Sequence, residues 1–328
     1  VRQVRSLIAA LCCTALTAAP ALAAPAVVGN ANIGSHFQAS GVSTSNVITT
    51  TTDAPVGSLI FMATGFSGTQ TISSVTDSAG NPYTAENSIQ LGSKRDAFYW
   101  SDNTATDLPA PATATGSITT TTVTFTTNPG TLGVGQAITG TGVTASTQIT
   151  GGISQWNGTS ASATVNNSQT VGSETLTISS TITTTFGASN ATMGAMAWLI
   201  SGAPTASPIE TTGRAQASGT SSAGTNANAL VTVNAAAGSL VLACVHISGA
   251  NTSDSYTEDA TVTNIAPRLL SSGNLGFYCV SWLATGVSKT WTPTWTNSRT
   301  WTSWSTAVKS TGGTASVCLL MMTGVGKC

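Results

Sequence analysis

Reactive side chains are sparse in this 328-residue chain, so the places where they gather stand out. Asp254, Glu258 and Asp259 put three carboxyl groups into six positions. Oxygen donors that close together are what a hard cation such as Ca²⁺ takes, and calcium is the one cofactor the sequence suggests. The plainer reading is a solvated loop whose charges keep sheet edges from pairing. Asp102, Asn103 and Asp107 pose the same choice more weakly. In SVTDSAGNPYT, residues 74–84, Asp77, Gly80 and Asn81 have the types of a calcium loop, but Ala79 stands where a ligand is needed. Gly, Asn and Pro supply turn geometry there, and Asp can bond its own backbone, so the stretch reads as a connection between strands. A later stretch, SDSYTED, keeps the flanks and drops the middle, which is how such a connection varies.

Aromatic chemistry concentrates in WTPTWTNSRTWTSWS, residues 291–305. With a two-residue turn at Asn297-Ser298, Trp291 faces Trp304 across a hairpin, Trp295 shares their face, and Trp301 lies on the other. Three indoles on one face are either a stacking platform for sugar rings or the inner face of a sandwich. Trp301 is then the exposed ligand contact, with Trp291 and Trp304 as further glycan-binding candidates. Histidine occurs twice, as His36 and as His246 inside the apolar run VLACVHI. Neither a Gly-x-Ser-x-Gly elbow nor a His-Glu-x-x-His zinc motif is present, and no spacing singles out a pair of acids, so an enzyme is not expected.

These residues must be positioned by strands. Charged residues make up 6% of the chain, against roughly a quarter in ordinary soluble proteins, and hydrophobic residues 41%. GSLIFMATGF, DAFYWSD, TLTISSTITTTF, AMAWLISG, GSLVLACVHI and LGFYCVSWLA are separated by Gly, Asn, Ser, Pro and Asp clusters, the rhythm of an all-β protein. Fully apolar runs predict strands covered on both faces, and the Thr-rich runs predict strands with one face in water. A formal charge of −1 gives no basic footprint for nucleic acid. No segment reaches the ~18 continuous apolar residues of a membrane span.

Residues 1–23, with Arg2 and Arg5 ahead of an apolar run and Ala21-Leu22-Ala23 at its end, read as a secretory signal peptide. A lipoprotein anchor at Cys12 or Cys13 is the alternative, disfavoured by the residues before those cysteines. An exported chain then keeps Cys244, Cys279, Cys318 and Cys328, enough for two disulfides. Cys244 with Cys279 is favoured because both sit inside apparent strands, leaving Cys318 with Cys328.

An internal repeat organises the rest. Gly57-Ser58-Leu59 recurs as Gly238-Ser239-Leu240, Phe98-Tyr99 as Phe277-Tyr278, and Phe186 takes the place of Trp295. The offsets imply that the first copy holds an insertion between Tyr99 and Thr183. That segment carries Val134-Gly135-Gln136, Gly140-Thr141-Gly142-Val143, Thr147-Gln148-Ile149 and Asn167-Ser168-Gln169-Thr170-Val171. On these motifs it resembles the small β-repeat of bacteriophage tail-fibre and bacterial surface proteins. The flanking GSLIFMATGF, SVTDSAGNPYT and AWLISGAPTASPIE are similar to secreted and phage-associated β-sandwich proteins. The resemblance implies a surface or particle-associated β-protein and brings no active site with it.

The sequence thus predicts two related β-sandwich units, jelly-roll or Ig-like, or two halves of one larger sandwich. The first spans 24–111 plus 183–204, the inserted module 112–182, and the second unit 205–328. The expected role is structural or adhesive at a cell surface or in a phage-like particle, with surface glycans or further copies of the chain as partners. A lectin-like module is the alternative, and a polysaccharide-degrading enzyme a third.

Overall fold

Leu59, Phe61 and Ala63 alternate with Ile60 and Met62, and all five are buried. A strand apolar on both faces has to lie between two layers. The same holds for Leu240, Leu242 and Cys244 against Val241 and Ala243. The computed structural model describes residues 24–311, apart from 29–33, 39–42, 69, 92–93, 102–107, 191, 205, 221–229, 249–255, 258–259, 265–268, 271–274 and 296. The signal-peptide reading and the pairing of Cys318 with Cys328 fall outside the described residues.

The first part of the chain supplies β1 (Ala26–Val27), β2 (Gly34–Gln38), β3 (Ser43–Thr49), β4 (Leu59–Ser67), β5 (Ile72–Asp77), β6 (Thr84–Leu91) and β7 (Lys94–Ser101). An interposed segment follows with β8 (Ala112–Phe125), β9 (Ala137–Thr139), β10 (Ile149–Ser154) and β11 (Ala161–Ser179), and then come β12 (Thr181–Asn190) and β13 (Met193–Ser201). The last part holds β14 (Ile209–Thr220), β15 (Thr232–Val233), β16 (Leu240–Ser248), β17 (Tyr256–Thr257), β18 (Thr263–Asn264) and β19 (Leu269–Leu270). It closes with β20 (Leu275–Leu283), β21 (Lys289–Thr290), β22 (Thr294–Trp295) and β23 (Thr300–Val308). The described residues contain no α-helix, and the fold is all-β, as the alternation in the sequence requires.

Two six-stranded antiparallel sheets form the centre. One runs β1-β13-β4-β7-β6 with β2 also on β13; the other runs β14-β23-β16-β20-β18 with β19 also on β20. Their facing sides share one core, in which Phe61, Phe98, Met196 and Trp198 of the first sheet pack with Leu242, Phe277, Trp304 and Val308 of the second. Each sheet is covered on its far side by a smaller one. The sheet β3-β12-β5 closes over Ile60, Met62, Ala195 and Ala197, and the pairs β15-β21 and β17-β22 close over Val241, Val245, Val280 and Trp282. Four layers result, and the apolar faces of the central strands β4, β13, β16 and β20 are covered on both sides.

The pairing registers relate the two parts residue by residue. Ile200 pairs with Leu59 on β4 as Val308 pairs with Leu240 on β16, so β4 maps to β16 with an offset of 181 (240 − 59) and β13 to β23 with 108 (308 − 200). Ala63 opposes Phe98 as Cys244 opposes Cys279, which gives β7 and β20 the offset 181 as well. The turn before each central strand repeats too: Ser58 N–H donates to Pro55 O and Ser239 N–H to Ala236 O, with Gly57 and Gly238 at φ of 81° and 85°. That left-handed backbone is why glycine stands at both places. The Phe-Tyr dipeptides therefore occupy positions two residues apart in the two parts. A slip of two keeps side chains on the same face, so the sequence motif hides it.

The interposed strands hold a core of their own, with Ile118, Val123, Phe125, Leu132, Ile138, Val165, Leu176 and Ile178 among its members. Thr120, at φ 56°, bends β8 so far that Thr126 N–H donates back to Thr115 O over 2.8 Å. The glycine-rich turns are pinned by amide side chains. Gln136 Oε1 accepts from Gly133 N–H (2.8 Å), Gln169 Oε1 from Thr144 N–H (2.7 Å), and Asn166 Oδ1 from Gln148 N–H (2.8 Å). These Gln and Asn residues stand in for ladder bonds that short strands cannot make. At the seam, Thr181 Oγ1 donates to Gly135 O (2.7 Å) and Ser180 Oγ to Pro109 O (2.9 Å).

The hairpin expected at Asn297-Ser298 is not formed. β22 pairs with β17 in the outer layer, whereas β23 pairs with β14 and β16 in the central sheet, so the chain crosses between layers there. Trp291 and Trp304 accordingly belong to different cores rather than facing each other. The disulfide joins Cys244 to Cys279, directly opposed on β16 and β20. By loop length it contributes about 3–4 kcal/mol through the unfolded chain.

Candidate functional site

One of the chain's two histidines meets one of its eleven acids where the two central sheets face each other. Strand alternation puts Asp96 on the same side of β7 as Phe98, and His246 on the same side of β16 as Cys244 and Leu242. Thr302 is the register partner of His246 on β23. All three side chains are wholly buried, at 0% exposure. His246 Nδ1 lies 2.7 Å from Asp96 Oδ1, and Thr302 Oγ1–H donates to Asp96 Oδ2 over 2.5 Å. His246 Nε2 has no hydrogen-bond partner among the described residues. Room for the carboxylate comes from Gly65, its register partner on β4, where a Cβ would sit 2.5 Å from Asp96 Oδ1 and 3.1 Å from the Phe277 ring.

The register offsets explain why this cluster occurs once. Gly65 corresponds to His246, Gly194 to Thr302, and Asp96 to Phe277. Asp96 of the first sheet reaches His246 of the second, and reciprocally Phe277 of the second lies against Gly65 of the first. Equivalent positions thus carry a polar cluster on one side and a ring over a glycine on the other.

An acid, an imidazole and a hydroxyl are the ingredients of nucleophilic catalysis, but the wiring here differs. In a triad the imidazole sits between acid and hydroxyl and takes the hydroxyl proton. In this cluster the imidazole and the hydroxyl both bond to the same carboxylate, and none of the three reaches solvent. The arrangement ties two sheets together: a buried carboxylate must be satisfied, and only the opposite sheet satisfies it. At the rim the tie continues in polar form, with Arg214 forked onto Glu86 and Asn87 Nδ2 donating to Ala215 O (3.1 Å) and Ser305 O (2.8 Å).

The residues singled out from sequence fall elsewhere. Asp77 is a turn anchor: Oδ1 accepts from Ala79 N–H and Asn81 N–H, both at 3.0 Å, and Oδ2 from Asn81 Nδ2 (3.0 Å) and Tyr83 Oη (3.2 Å). Burial, with the Asp77 charge and hydrogen bond behind it, pushes the Tyr83 phenol well above its usual range. Trp291 and Trp304 are fully buried, and Trp301, expected to be exposed, is 7% exposed. Its indole lies on Gly219 of β14, its register partner, where a Cβ would come within 2.9 Å of the ring. None of these three indoles offers a face to a ligand.

Asp254, Glu258 and Asp259, like Asp102, Asn103 and Asp107, lie outside the described residues, and so does the His36 side chain. Among the described residues no group of three or more His, Cys, Asp or Glu is placed to hold a metal ion. No helix of the described residues is long and apolar enough to cross a membrane.

Sequence reasoning passed over Asp96 and Trp156. Asp96 carried a signal, being an acid two positions from Phe98 inside an aromatic strand, on the face that must be buried. Trp156 is only partly buried, and with Asn128, Gly130, Thr131 and Gln155 it lines an open depression of about 410 Å³ on the interposed module. A second depression, about 400 Å³, lies beside Trp282, where Lys289 Nζ stands 5.0 Å from the indole and donates to Thr261 O. No protein-family model, curated protein or solved structure matches the chain.

Proposed function

We propose that the chain is an exported surface protein with a structural and adhesive role, at a cell envelope or in a phage-like particle, and that it carries out no catalysis. One observation carries the reading: the acid, imidazole and hydroxyl of the Asp96 cluster are spent inside the molecule on holding two sheets together, while many outward positions of the interposed strands are hydroxyls and amides. On β11, Ser162, Thr164, Asn166, Ser168 and Thr170 point outward in alternation with buried Ala161, Ala163 and Val165. A face of that chemistry engages neutral polymers through hydrogen bonds, without the screening that weakens charged surfaces in salt. The motifs of 134–171 and the leader-like residues 1–23 support the same reading.

Adhesion is the test. The chain, secreted and labelled, is offered to whole cells and to isolated envelope polysaccharide at low and high salt. Retention that is insensitive to salt is the expected result. A chain that stays inside the producing cell, or that binds none of these surfaces, overturns the reading.

A further inference from the structure

Six of the eight tryptophans are buried in the cores of the two halves, whereas Trp156 and Trp100 are only partly covered. Trp100 packs against the central core. Trp156 is the sole Trp of residues 112–182, and Glu174 is their sole charged residue. The indole packs in part on the module core and lines the open depression of about 410 Å³.

The polar groups around it are arranged rather than scattered. Gln155 Oε1 accepts from Leu132 N–H (3.0 Å) and its Nε2 donates to Leu132 O (2.7 Å), which locks the 128–132 loop beside the indole. Asn157 Oδ1 accepts from Thr159 N–H and Ser160 N–H, both at 3.0 Å, and fixes the turn that follows Trp156. Asn128 uses its Oδ1 to accept from Gly130 N–H (2.9 Å), which turns its amide nitrogen to the outside as a donor, and Thr131 adds an exposed hydroxyl.

A flat indole face beside an amide donor and a hydroxyl, in a neutral surround and on a rim fixed in advance, is the chemistry that recognises a sugar ring. The ring's C–H face lies on the indole, and its hydroxyls meet the polar groups. We propose that the Trp156 depression binds a neutral pyranose, a residue of a surface glycan. The site rests on the adhesive reading above and supplies its ligand class. It differs from a platform at Trp291, Trp301 and Trp304, whose indoles are buried.

The test uses the whole chain and ligand-observed saturation-transfer NMR with the methyl glycosides of glucose, galactose, mannose and N-acetylglucosamine. At least one glycoside gives a signal with the intact protein, and Trp156→Ala weakens it at least about tenfold, the loss of a stacking face together with its contacts. Because Trp156 also contributes to the module core, Asn128→Ala and Thr131→Val serve as surface variants. Each is expected to weaken binding about three- to tenfold; Thr131→Val leaves the melting temperature unchanged, and Asn128→Ala, which also gives up the bond from Gly130 N–H, leaves the circular dichroism spectrum of the folded chain intact. The site is overturned if no glycoside binds, if Trp156→Ala binds as the parent does, or if both surface variants are silent. Envelope adhesion with no glycoside binding sinks the site and leaves the adhesive reading standing. Glycoside binding without envelope adhesion does the reverse.

Discussion

Asp96 is the residue on which the largest single effect is expected. Replacing it with Ala strands the imidazole of His246 and the hydroxyl of Thr302 in a dry interior, at about 1–3 kcal/mol for each buried polar group left unsatisfied. In urea, Asp96→Ala and His246→Ala should each shift the unfolding midpoint strongly. The double variant should lose clearly less than the sum, since the second change removes a group already stranded. Additive losses would mean that the pair is not coupled.

Tyr83 gives a pH signature. Its phenol is raised in the folded state above the ordinary value near 10 that it has when unfolded. The folded chain therefore holds that proton more tightly, and the associated stability is complete below about pH 10 and is lost as pH rises beyond it. Tyr83→Phe should flatten the fall in melting temperature across that alkaline window. Of these residues, the turn role of Asp77 was legible because local spacing decides it. The Asp96 cluster was not, because it joins positions 150 and 206 apart in sequence through a register that no local pattern encodes.

Among the elements, β8 is the most exacting. Gly116 lies where the strand bends back on itself, and a Cβ there would fall 2.8 Å from Thr124 O and 2.9 Å from the Phe125 ring. Both neighbours are fixed by the β8–β11 ladder and neither has room to yield. Gly116→Ala is expected to cost about 1–3 kcal/mol. Hydrogen exchange should show the loss in 112–179 and leave the central sheets protected, because the interposed strands have a core of their own. Loss of protection throughout the chain would mean that the segments unfold as one. Strand existence was readable from alternation, and the covered strands from unbroken apolar runs. The partner of each strand was not: 291–305 carries the pattern of a hairpin, but β22 is held by Tyr256, whose ring stacks 3.9 Å from Tyr278, and β23 by β16. Those long-range claims outweigh the local turn.

At the scale of the molecule, the two central sheets press the same faces together, position against corresponding position, in the manner of an isologous pair of subunits. What the chain adds is asymmetry at the Asp96 cluster. Two copies of the second half in this pose would drive Phe277 into His246 twice over, and two copies of the first would bury two carboxylates against Gly65 with nothing to receive them. Each half thus refuses its own likeness and accepts the other, a lock cut on both sides. Expressed as separate chains, 24–204 and 205–311 should find one another as a one-to-one complex in native mass spectrometry, and neither should form a homodimer. Asp96→Phe in the one and His246→Gly with Thr302→Gly in the other should erase that preference and let like meet like.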